Sequence, residues 1–264
     1  MNFAAYECLE FHRTGRILTI ALNRPDQRNA VNARLHYELS RVFTDAQRDP
    51  DSDVIILTGN GSAFCAGGDI DWMQLSIDEP TEFERTAREA KDIVYSQLDL
   101  EKPLICKLNG HATGLGASLA LLCDIIIACA DAKIGDPHVS VGLVAGDGGA
   151  LIWPQLVGYA KAKKYLLTGE LMTATEAERI GLVTDVVPLA QLNDAVDSIA
   201  QRLASGATKA IRWSKITTNL PLRQLFHSYF DAGVAYECLS NRTDDHAEAV
   251  KAFRERRKPI FTGL

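Results

Sequence analysis

The sequence lacks the features that define several large classes of protein. Its six cysteines form no C-x-x-C pair and mostly lie in or beside apolar runs, so we expect reduced core thiols rather than disulfides or zinc ligands. No apolar run reaches membrane-spanning length, and the start has no basic segment before an apolar one, so we expect a cytoplasmic protein. The net charge of -6 argues against a general nucleic-acid or membrane-surface role.

Nucleotide-binding motifs are missing as well. Gly114-Leu115-Gly116 begins like a dinucleotide fingerprint, but Leu119 stands at the third glycine position. Neither this turn nor the glycines at 148–149 are followed by the Lys and Ser or Thr of a phosphate loop, which excludes a nucleotide triphosphatase. We expect no separate cofactor and no metal.

The sequence does contain an alternation of strand and helix patterns, in a length that fits one large domain or a domain with an appendage. Its central stretch, 104–149, predicts a buried strand (104–108), a glycine turn, an apolar helix (114–123), a second strand (125–130) and a loop rich in Gly, His and Asp. A helix that begins beside the end of a strand presents backbone N–H groups that stabilise an anionic oxygen. This order suggests chemistry through a negatively charged oxygen.

The flanking patterns extend the same organisation. They predict a hairpin (6–22), a helix from Asn32 to about Gln47, a strand (53–58), helices (81–98, 150–156, 159–167, 175–180), a strand (183–187), and helix from 189 onward with breaks at 205–206 and at Pro221. We therefore expect an α/β core over 1–200 and a helical region over 201–264. Such a helical tail usually docks on its own core or on a neighbouring subunit.

Four motifs resemble the enoyl-CoA hydratase/isomerase family, the crotonase superfamily. They are FCAGGDI (64–70), NGHATGLGASLALLCDI (109–125), GLVAGDGG (142–149) and DDHAEAVKAFRERRKPIF (244–261), in the family's order and spacing. The resemblance implies a spiral of ββα units and C-terminal helices that build homotrimers, paired in some members as hexamers. It also implies an oxyanion hole, in which the N–H groups of Gly68 and Leu115 hold a thioester oxygen as it becomes an enolate. Two such amides can lower a barrier by several kcal/mol.

The chain departs from the family at the two glutamates with which hydratases activate water, because Ser118 and His138 occupy those positions. A serine is no general base at neutral pH. His138 and Asp147 lie nine residues apart on one loop, where the carboxylate can orient an imidazole that takes a proton from water. Simpler interpretations remain for both: a turn-forming histidine, and an N-cap of the helix that starts near Gly148.

The DPH and GDGG patterns, followed by Trp153-Pro154, resemble the β-diketone hydrolase branch of the superfamily, which cleaves a carbon-carbon bond by water attack on a ketone. His36 and Glu237 match polar site positions of that branch, and we place Glu237 among the catalytic residues. Leu115 stands where the branch carries a further histidine, so the match is partial.

Other parts of the chain resemble the family's coenzyme A contacts, namely 28–31 and the tail 253–261. We therefore expect coenzyme A to be part of a small-molecule substrate, with no nucleic-acid or membrane partner. Asp69, a turn former, is more often structural. The residues expected to bind substrate are Arg28, Ala30, Ala66, Asp69, Ser118, His36, Trp153 and Phe261.

These observations leave several functions open. The leading hypothesis is an enolate-stabilising enzyme in which His138 and Asp147 activate water, acting on an acyl-CoA or a β-dicarbonyl compound, with carbon-carbon hydrolysis ahead of hydration. The alternatives are an enoyl-CoA hydratase with an atypical site, a serine hydrolase or thioesterase that uses Ser118, His138 and Asp147, and a non-catalytic oligomeric homologue.

Overall fold

The computed structural model describes residues 3–264, so the first two residues, part of the start considered for a targeting segment, lie outside it. The strands are β1 (Leu9–Thr14), β2 (Ile17–Leu22), β3 (Val54–Gly59), β4 (Ala63–Cys65), β5 (Leu104–Leu108), β6 (His111–Thr113), β7 (Ile125–Cys129), β8 (Lys133–Gly135), β9 (Met172–Thr173) and β10 (Asp185–Val187). They form a six-stranded sheet in the order β1-β2-β3-β5-β7-β10 and a four-stranded sheet in the order β4-β6-β8-β9.

The helices surround these sheets. They are α1 (Ala33–Arg48), α2 (Ile70–Asp78), α3 (Pro80–Asp99), α4 (Leu115–Leu121), α5 (Gly149–Thr168), α6 (Ala174–Arg179), α7 (Leu192–Ala204), α8 (Thr208–Ser240) and α9 (Asp244–Arg254). Asn32 caps α1, as expected, because its side chain accepts a hydrogen bond from the N–H of Leu35 at 2.9 Å. The α/β fold with a C-terminal helical region is therefore confirmed.

Parallel pairing in the small sheet positions the functional loops. Strands β4, β6 and β8 run parallel, so their carboxyl ends lie at one edge. The chain leaves that edge three times, through 66–69, through 114–115 and through 136–138. The three loops that the sequence singles out are consequently neighbours. The fully buried helix α4 fixes the middle one against the core.

One expectation about helices needs correction. Pro221 does not break the C-terminal helix, because α8 continues through it over 33 residues. The two predicted helices 150–156 and 159–167 are both present within α5, separated by a kink at Gly158, whose φ of +74° and ψ of 158° are not helical. Within residues 3–264, no helix combines the length and the apolar character that crossing a membrane requires.

Candidate active site

The predicted oxyanion donors, Gly68 and Leu115, both line an inner cavity of about 70 Å³. Gly68 pairs with Val31 through the N–H groups of Val31 and Asp69, an arrangement that does not use the N–H of Gly68 itself. Leu115 is the first residue of α4, where a backbone N–H has no partner within the helix. The two amides are thus available at one cavity, as an oxyanion hole requires.

His138 lies directly beside Gly114, the residue that precedes Leu115. A Cβ added to Gly114 would meet Cε1 of His138 at 3.4 Å, and Gly114 itself has φ +54°. A glycine at this turn therefore lets the imidazole approach the backbone that leads into α4.

Two carboxylates contact the two ring nitrogens of His138. Asp136 accepts a short hydrogen bond from Nδ1, and Oδ2 of Asp147 lies 3.5 Å from Nε2. The carboxylate that holds the ring is consequently Asp136, which the sequence interpretation gave no role. This corrects the expected pairing: Asp147 faces the opposite nitrogen, on the cavity side where a water molecule can contact both groups.

Asp147 connects His138 to Ser118. The hydroxyl of Ser118 donates to Oδ1 of Asp147 at 3.1 Å, while Oδ2 faces the imidazole. The order is therefore serine, carboxylate, imidazole, which differs from the serine, imidazole, carboxylate order of a nucleophilic triad. The N-cap residue of α5 is Gly148 rather than Asp147.

Burial and neighbouring charges set the protonation states of His138 and Asp147. Burial opposes the charge on His138, but the carboxylates of Asp136 and Asp147 outweigh it and raise the pKa of His138 well above its ordinary value of 6.5. Burial also raises the pKa of Asp147, and His138 counteracts part of this effect. The cluster therefore retains protons that isolated side chains would lose near neutral pH.

Glu237, on α8, lines the same cavity as His138 and Asp147. A Cβ on Gly146 would approach Oε2 of Glu237 to 2.8 Å, so the loop before α5 packs closely on this carboxyl group. Burial, reinforced by the charge of Asp147, raises the pKa of Glu237 to about 8. A protonated Glu237 can donate a proton at neutral pH, whereas an ordinary glutamate cannot.

The far wall of the cavity comes from three helices. His36 on α1 is only 2% exposed and contacts Oε2 of Glu89 on α3 through Nδ1 at 2.7 Å. The indole of Trp72 on α2 lies against the imidazole, with 5.1 Å between ring centroids. His36 therefore lines the cavity, as predicted, and it does so with two partners that sequence reasoning missed.

An outer groove of about 510 Å³ leads to the cavity, since Gly68 and His138 line both. Its walls include the predicted substrate-binding residues Arg28, Ala30, Ala66 and Asp69, together with Phe253 of α9. Asp69 has a structural role here as well, because it caps α2 through the N–H of Asp71 and pairs with Arg24 at 3.1 Å.

Three predicted substrate-binding residues do not line the groove or the cavity: Ser118, which is buried and bonded to Asp147, and also Trp153 and Phe261. Trp153 is 0% exposed and packs in the core near Tyr165, because it falls on the inward face of α5. Phe261 lies on the C-terminal tail, 45% exposed, and is not among the residues that line the groove or the cavity. Neither Trp153 nor Phe261 is placed to contact a ligand in this chain.

His246 is a further cavity residue without a predicted role. Its Nδ1 donates to the carbonyl of Val141 at 2.6 Å, so it ties α9 to the turn that follows His138. Burial lowers the pKa of His246 below its ordinary value, which keeps this ring neutral. Its position in the 244–261 motif was the available sequence signal.

A metal ion is conceivable at one place in residues 3–264. Ligand atoms of Asp136, His138 and Asp147 lie within 4.8 Å of one another. The hydrogen bond from Nδ1 to Asp136 and the approach of Asp147 to Nε2 already account for these contacts.

The fold and the cavity together define a crotonase-type α/β enzyme. A family model described as enoyl-CoA hydratase/isomerase matches residues 12–263, and the chain belongs to that family. A crotonyl-CoA hydratase of Syntrophomonas wolfei is 36% identical over 97% of this chain and 98% of its own length.

Solved structures agree with the sequence relatives. An enoyl-CoA hydratase/isomerase from Mycobacterium paratuberculosis superimposes with a TM-score of 0.89 at 32% identity, covering 92% of this chain and 97% of that one. A β-diketone hydrolase from the cyanobacterium Anabaena sp., bound to (S)-3-oxocyclohexyl acetic acid, gives a TM-score of 0.83 at 31% identity, covering 91% and 96%. Both branches considered from the sequence are thus represented among its relatives.

Proposed function

We propose that this enzyme uses water activated by His138 and Asp147 to attack a carbonyl carbon of an acyl-CoA or related β-dicarbonyl substrate, and that it cleaves the adjacent carbon-carbon bond. The observation that carries this proposal is the position of one imidazole between two carboxylates beside the amides of Gly68 and Leu115. The absence of the hydratase glutamate pair, with Ser118 and His138 in its place, supports it.

In the first step, a water molecule at Nε2 of His138 and Oδ2 of Asp147 gives up a proton to this pair as its oxygen bonds to the substrate carbonyl carbon. Asp136 holds Nδ1 and so fixes the ring while the proton is transferred. The imidazole serves as base in the fraction of molecules in which Nε2 carries no proton, a fraction that rises with pH because the pKa of His138 is raised.

In the second step, the bond between that carbon and its α-carbon breaks. The electron pair forms an enolate on the leaving fragment, whose oxygen the N–H groups of Gly68 and Leu115 stabilise. Protonated Glu237 then gives its proton to the α-carbon, and the proton taken from water is redistributed within the cluster. The products are a carboxylic acid and a ketone or thioester, and one water molecule is consumed.

Hydration of an enoyl-CoA is the second candidate, and the names of the relatives favour it. The crotonyl-CoA hydratase of Syntrophomonas wolfei is 36% identical to this chain. A 2,3-dehydroadipyl-CoA hydratase of Escherichia coli is 34% identical to it. The same groups would then add water across a carbon-carbon double bond, with Glu237 again protonating the α-carbon. A serine hydrolase has less support, since Ser118 donates to Asp147 rather than to His138.

The deciding experiment presents the enzyme with crotonyl-CoA, acetoacetyl-CoA and cyclohexane-1,3-dione in water enriched in ¹⁸O, with products identified by mass. Cleavage of either dicarbonyl compound with one ¹⁸O in the new carboxylate is the expected result. Exclusive conversion of crotonyl-CoA to a hydroxyacyl-CoA would establish hydration instead.

We also propose that the enzyme works as a homotrimer or homohexamer, as the family resemblance predicts. Exposed aromatic side chains on α8, among them Trp213, Tyr229 and Tyr236, supply a surface that a neighbouring subunit would cover. Sedimentation velocity of the purified protein tests this assembly.

A further inference from the structure

The proposed cleavage places negative charge on two different oxygens of the substrate, one after the other. Attack by water first turns the oxygen of the attacked carbonyl into an alkoxide. When the alkoxide collapses and the carbon-carbon bond breaks, the charge moves to the enolate oxygen of the leaving fragment. The amides of Gly68 and Leu115 serve that enolate oxygen, so the alkoxide requires a hydrogen-bond donor of its own.

Most polar side chains of the inner cavity already have protein partners. The hydroxyls of Ser76 and Thr86 donate to backbone carbonyls of α2 and α3. Nδ1 of His36 contacts Glu89, and Nδ1 of His246 donates to a backbone carbonyl. Among the described residues, no lysine or arginine lines this cavity. A donor for the alkoxide must therefore come from a neutral group that is not yet engaged.

Asn241, which follows the last residue of α8, has such a group. It is 5% exposed and lines the inner cavity, and its carboxamide has no hydrogen-bond partner within residues 3–264. Some buried polar atoms lack both a partner and accessible surface, but neither Oδ1 nor Nδ2 of Asn241 is among them. Both atoms therefore retain surface, which for this enclosed side chain lies at the cavity. Because no protein group fixes the amide, it can turn the two hydrogens of Nδ2 toward a ligand.

The position of Asn241 relative to Glu237 fits the attacked carbonyl group. The N–H of Asn241 donates to the carbonyl of Glu237 at 2.9 Å, so the helical backbone extends to this residue. Residues four apart lie on one face of a helix, with about 5–6 Å between their Cβ atoms. Glu237 is proposed to protonate the α-carbon, and the attacked carbon is bonded directly to that atom. With the α-carbon at Glu237, the oxygen of the attacked carbon is within reach of Asn241.

We propose that Nδ2 of Asn241 donates a hydrogen bond to the carbonyl oxygen of the carbon that water attacks, and that this bond strengthens as the oxygen becomes an alkoxide. The inference rests on the proposed function. As the water oxygen bonds to the carbon, its proton passes to the pair of His138 and Asp147 and the carbonyl electron pair moves to the oxygen at Asn241. Collapse returns that pair and expels the enolate. Asn241 thus selects acyl groups with a carbonyl oxygen at the β-carbon.

The first test measures binding without turnover. In the His138→Ala background, which is expected not to consume the ligands, isothermal titration compares acetoacetyl-CoA with butanoyl-CoA, which lacks the β-oxygen. We expect acetoacetyl-CoA to bind about fivefold more tightly. Adding Asn241→Leu, which keeps the side-chain size but removes the amide, should abolish this preference. Asn241→Ala, which adds no bulk, serves the same purpose if the leucine variant does not fold.

A control variant changes the same cavity without removing a free donor. Thr86 also lines the cavity, but its hydroxyl hydrogen is already donated to the carbonyl of Glu82 at 2.9 Å. Thr86→Val keeps the shape of that side chain. In the same background it should leave the preference for acetoacetyl-CoA unchanged.

The second test separates ground-state binding from catalysis in the otherwise intact enzyme. The oxygen is fully charged only after water has attacked, so Asn241→Leu should lower kcat for acetoacetyl-CoA cleavage about a hundredfold and raise KM by about fivefold or less. Thr86→Val should stay within about threefold of the parent in both. A rise in KM with kcat unchanged would overturn the stabilisation of the alkoxide.

Failure of the proposed function gives a different result from failure of this inference. If the parent enzyme does not cleave acetoacetyl-CoA, the proposed function fails, and the binding comparison still decides the contact. Equal binding of the two thioesters overturns the contact, and so does a preference that the Asn241 variants retain. If neither thioester binds, coenzyme A recognition fails. Pentane-2,4-dione against pentan-2-one then decides the contact, and equal binding or no binding overturns it.

Discussion

Asp136 and His138 are separated only by Pro137, and the carboxylate of the first accepts a hydrogen bond from Nδ1 of the second. Asp136 is fully buried, and its other oxygen has no hydrogen-bond partner within residues 3–264. A Cβ on Gly149 would come within 1.9 Å of that oxygen, so the start of α5 encloses the carboxylate. The ring of His138 is therefore held by a charge that solvent cannot screen.

Replacing Asp136 should change the pH dependence of the reaction. The charge of Asp136 helps to raise the pKa of His138, and a base must be unprotonated, so kcat/KM of the parent enzyme should rise with pH through a range above 6.5. Asp136→Asn should move this limb to lower pH and also lower kcat, because the ring is less well held. Asp131→Asn, at an exposed position, is the control. A limb that stays in place in Asp136→Asn would contradict the assignment.

Direct removal of the water-activating groups should abolish most turnover. His138→Ala and Asp147→Asn should each lower kcat by about a hundredfold or more, since general base catalysis typically contributes that much. Circular dichroism and thermal unfolding should show that both variants keep the fold. Turnover near that of the parent protein in either variant would remove that residue from the mechanism.

The fold was predictable where apolar runs are long. Strand β5 matches the predicted 104–108 residue for residue, because a short, mostly apolar run bounded by Pro103 and by the turn at 109–110 favours a buried strand over a helix. Strands β4, β6, β8 and β9 have two or three residues each, too few for any periodicity, so the second sheet was not anticipated. Helix α2 was missed as well, since its start lies directly behind the glycine loop.

The site was predictable only where its residues lie in or beside motifs that resemble the family's. The motifs placed Gly68, Leu115 and His138 at one cavity, where they lie. Which of two nearby carboxylates holds Nδ1 depends on how the loop 136–147 folds, and sequence spacing does not contain that information. Glu89 is 53 residues from His36, so only tertiary packing reveals their contact. Trp153 directly follows the 142–149 motif region and was therefore expected to bind substrate, but its side chain lies on the buried face of α5.

Glu237 should govern the alkaline side of the pH profile. Burial raises its pKa to about 8, so the protonated donor is present below that pH and is lost as pH rises through it. We expect kcat to fall above about pH 8 in the parent enzyme, provided protonation of the α-carbon limits the rate. Glu237→Gln should reduce kcat at all pH values and remove this alkaline decline. A variant that keeps the decline would assign it to another group.

The oxyanion hole can be tested through the backbone. Gly68→Pro removes the N–H that is proposed to hold the enolate oxygen and should abolish turnover. Gly68→Ala keeps the N–H, and its added Cβ meets only the mobile end of Met73, so it should retain much of the activity. Binding of pentanoyl-CoA to both variants shows whether the groove remains intact. An active Gly68→Pro enzyme would show that the donor lies elsewhere.

Ser118 decides between water attack and a serine nucleophile. Its hydroxyl donates to Asp147 at 3.1 Å, and this hydrogen bond lowers the pKa of that carboxyl group against the larger effect of burial. Ser118→Ala should therefore raise the pKa of Asp147 further and reduce kcat, but by less than about tenfold, or 1.4 kcal/mol. A nucleophile cannot be removed at so small a cost, because the covalent route disappears with it and several orders of magnitude are lost. We expect intact-protein mass spectrometry during turnover to show no acyl group on the parent enzyme. An adduct on Ser118, together with an inactive alanine variant, would replace water activation by a serine hydrolase mechanism.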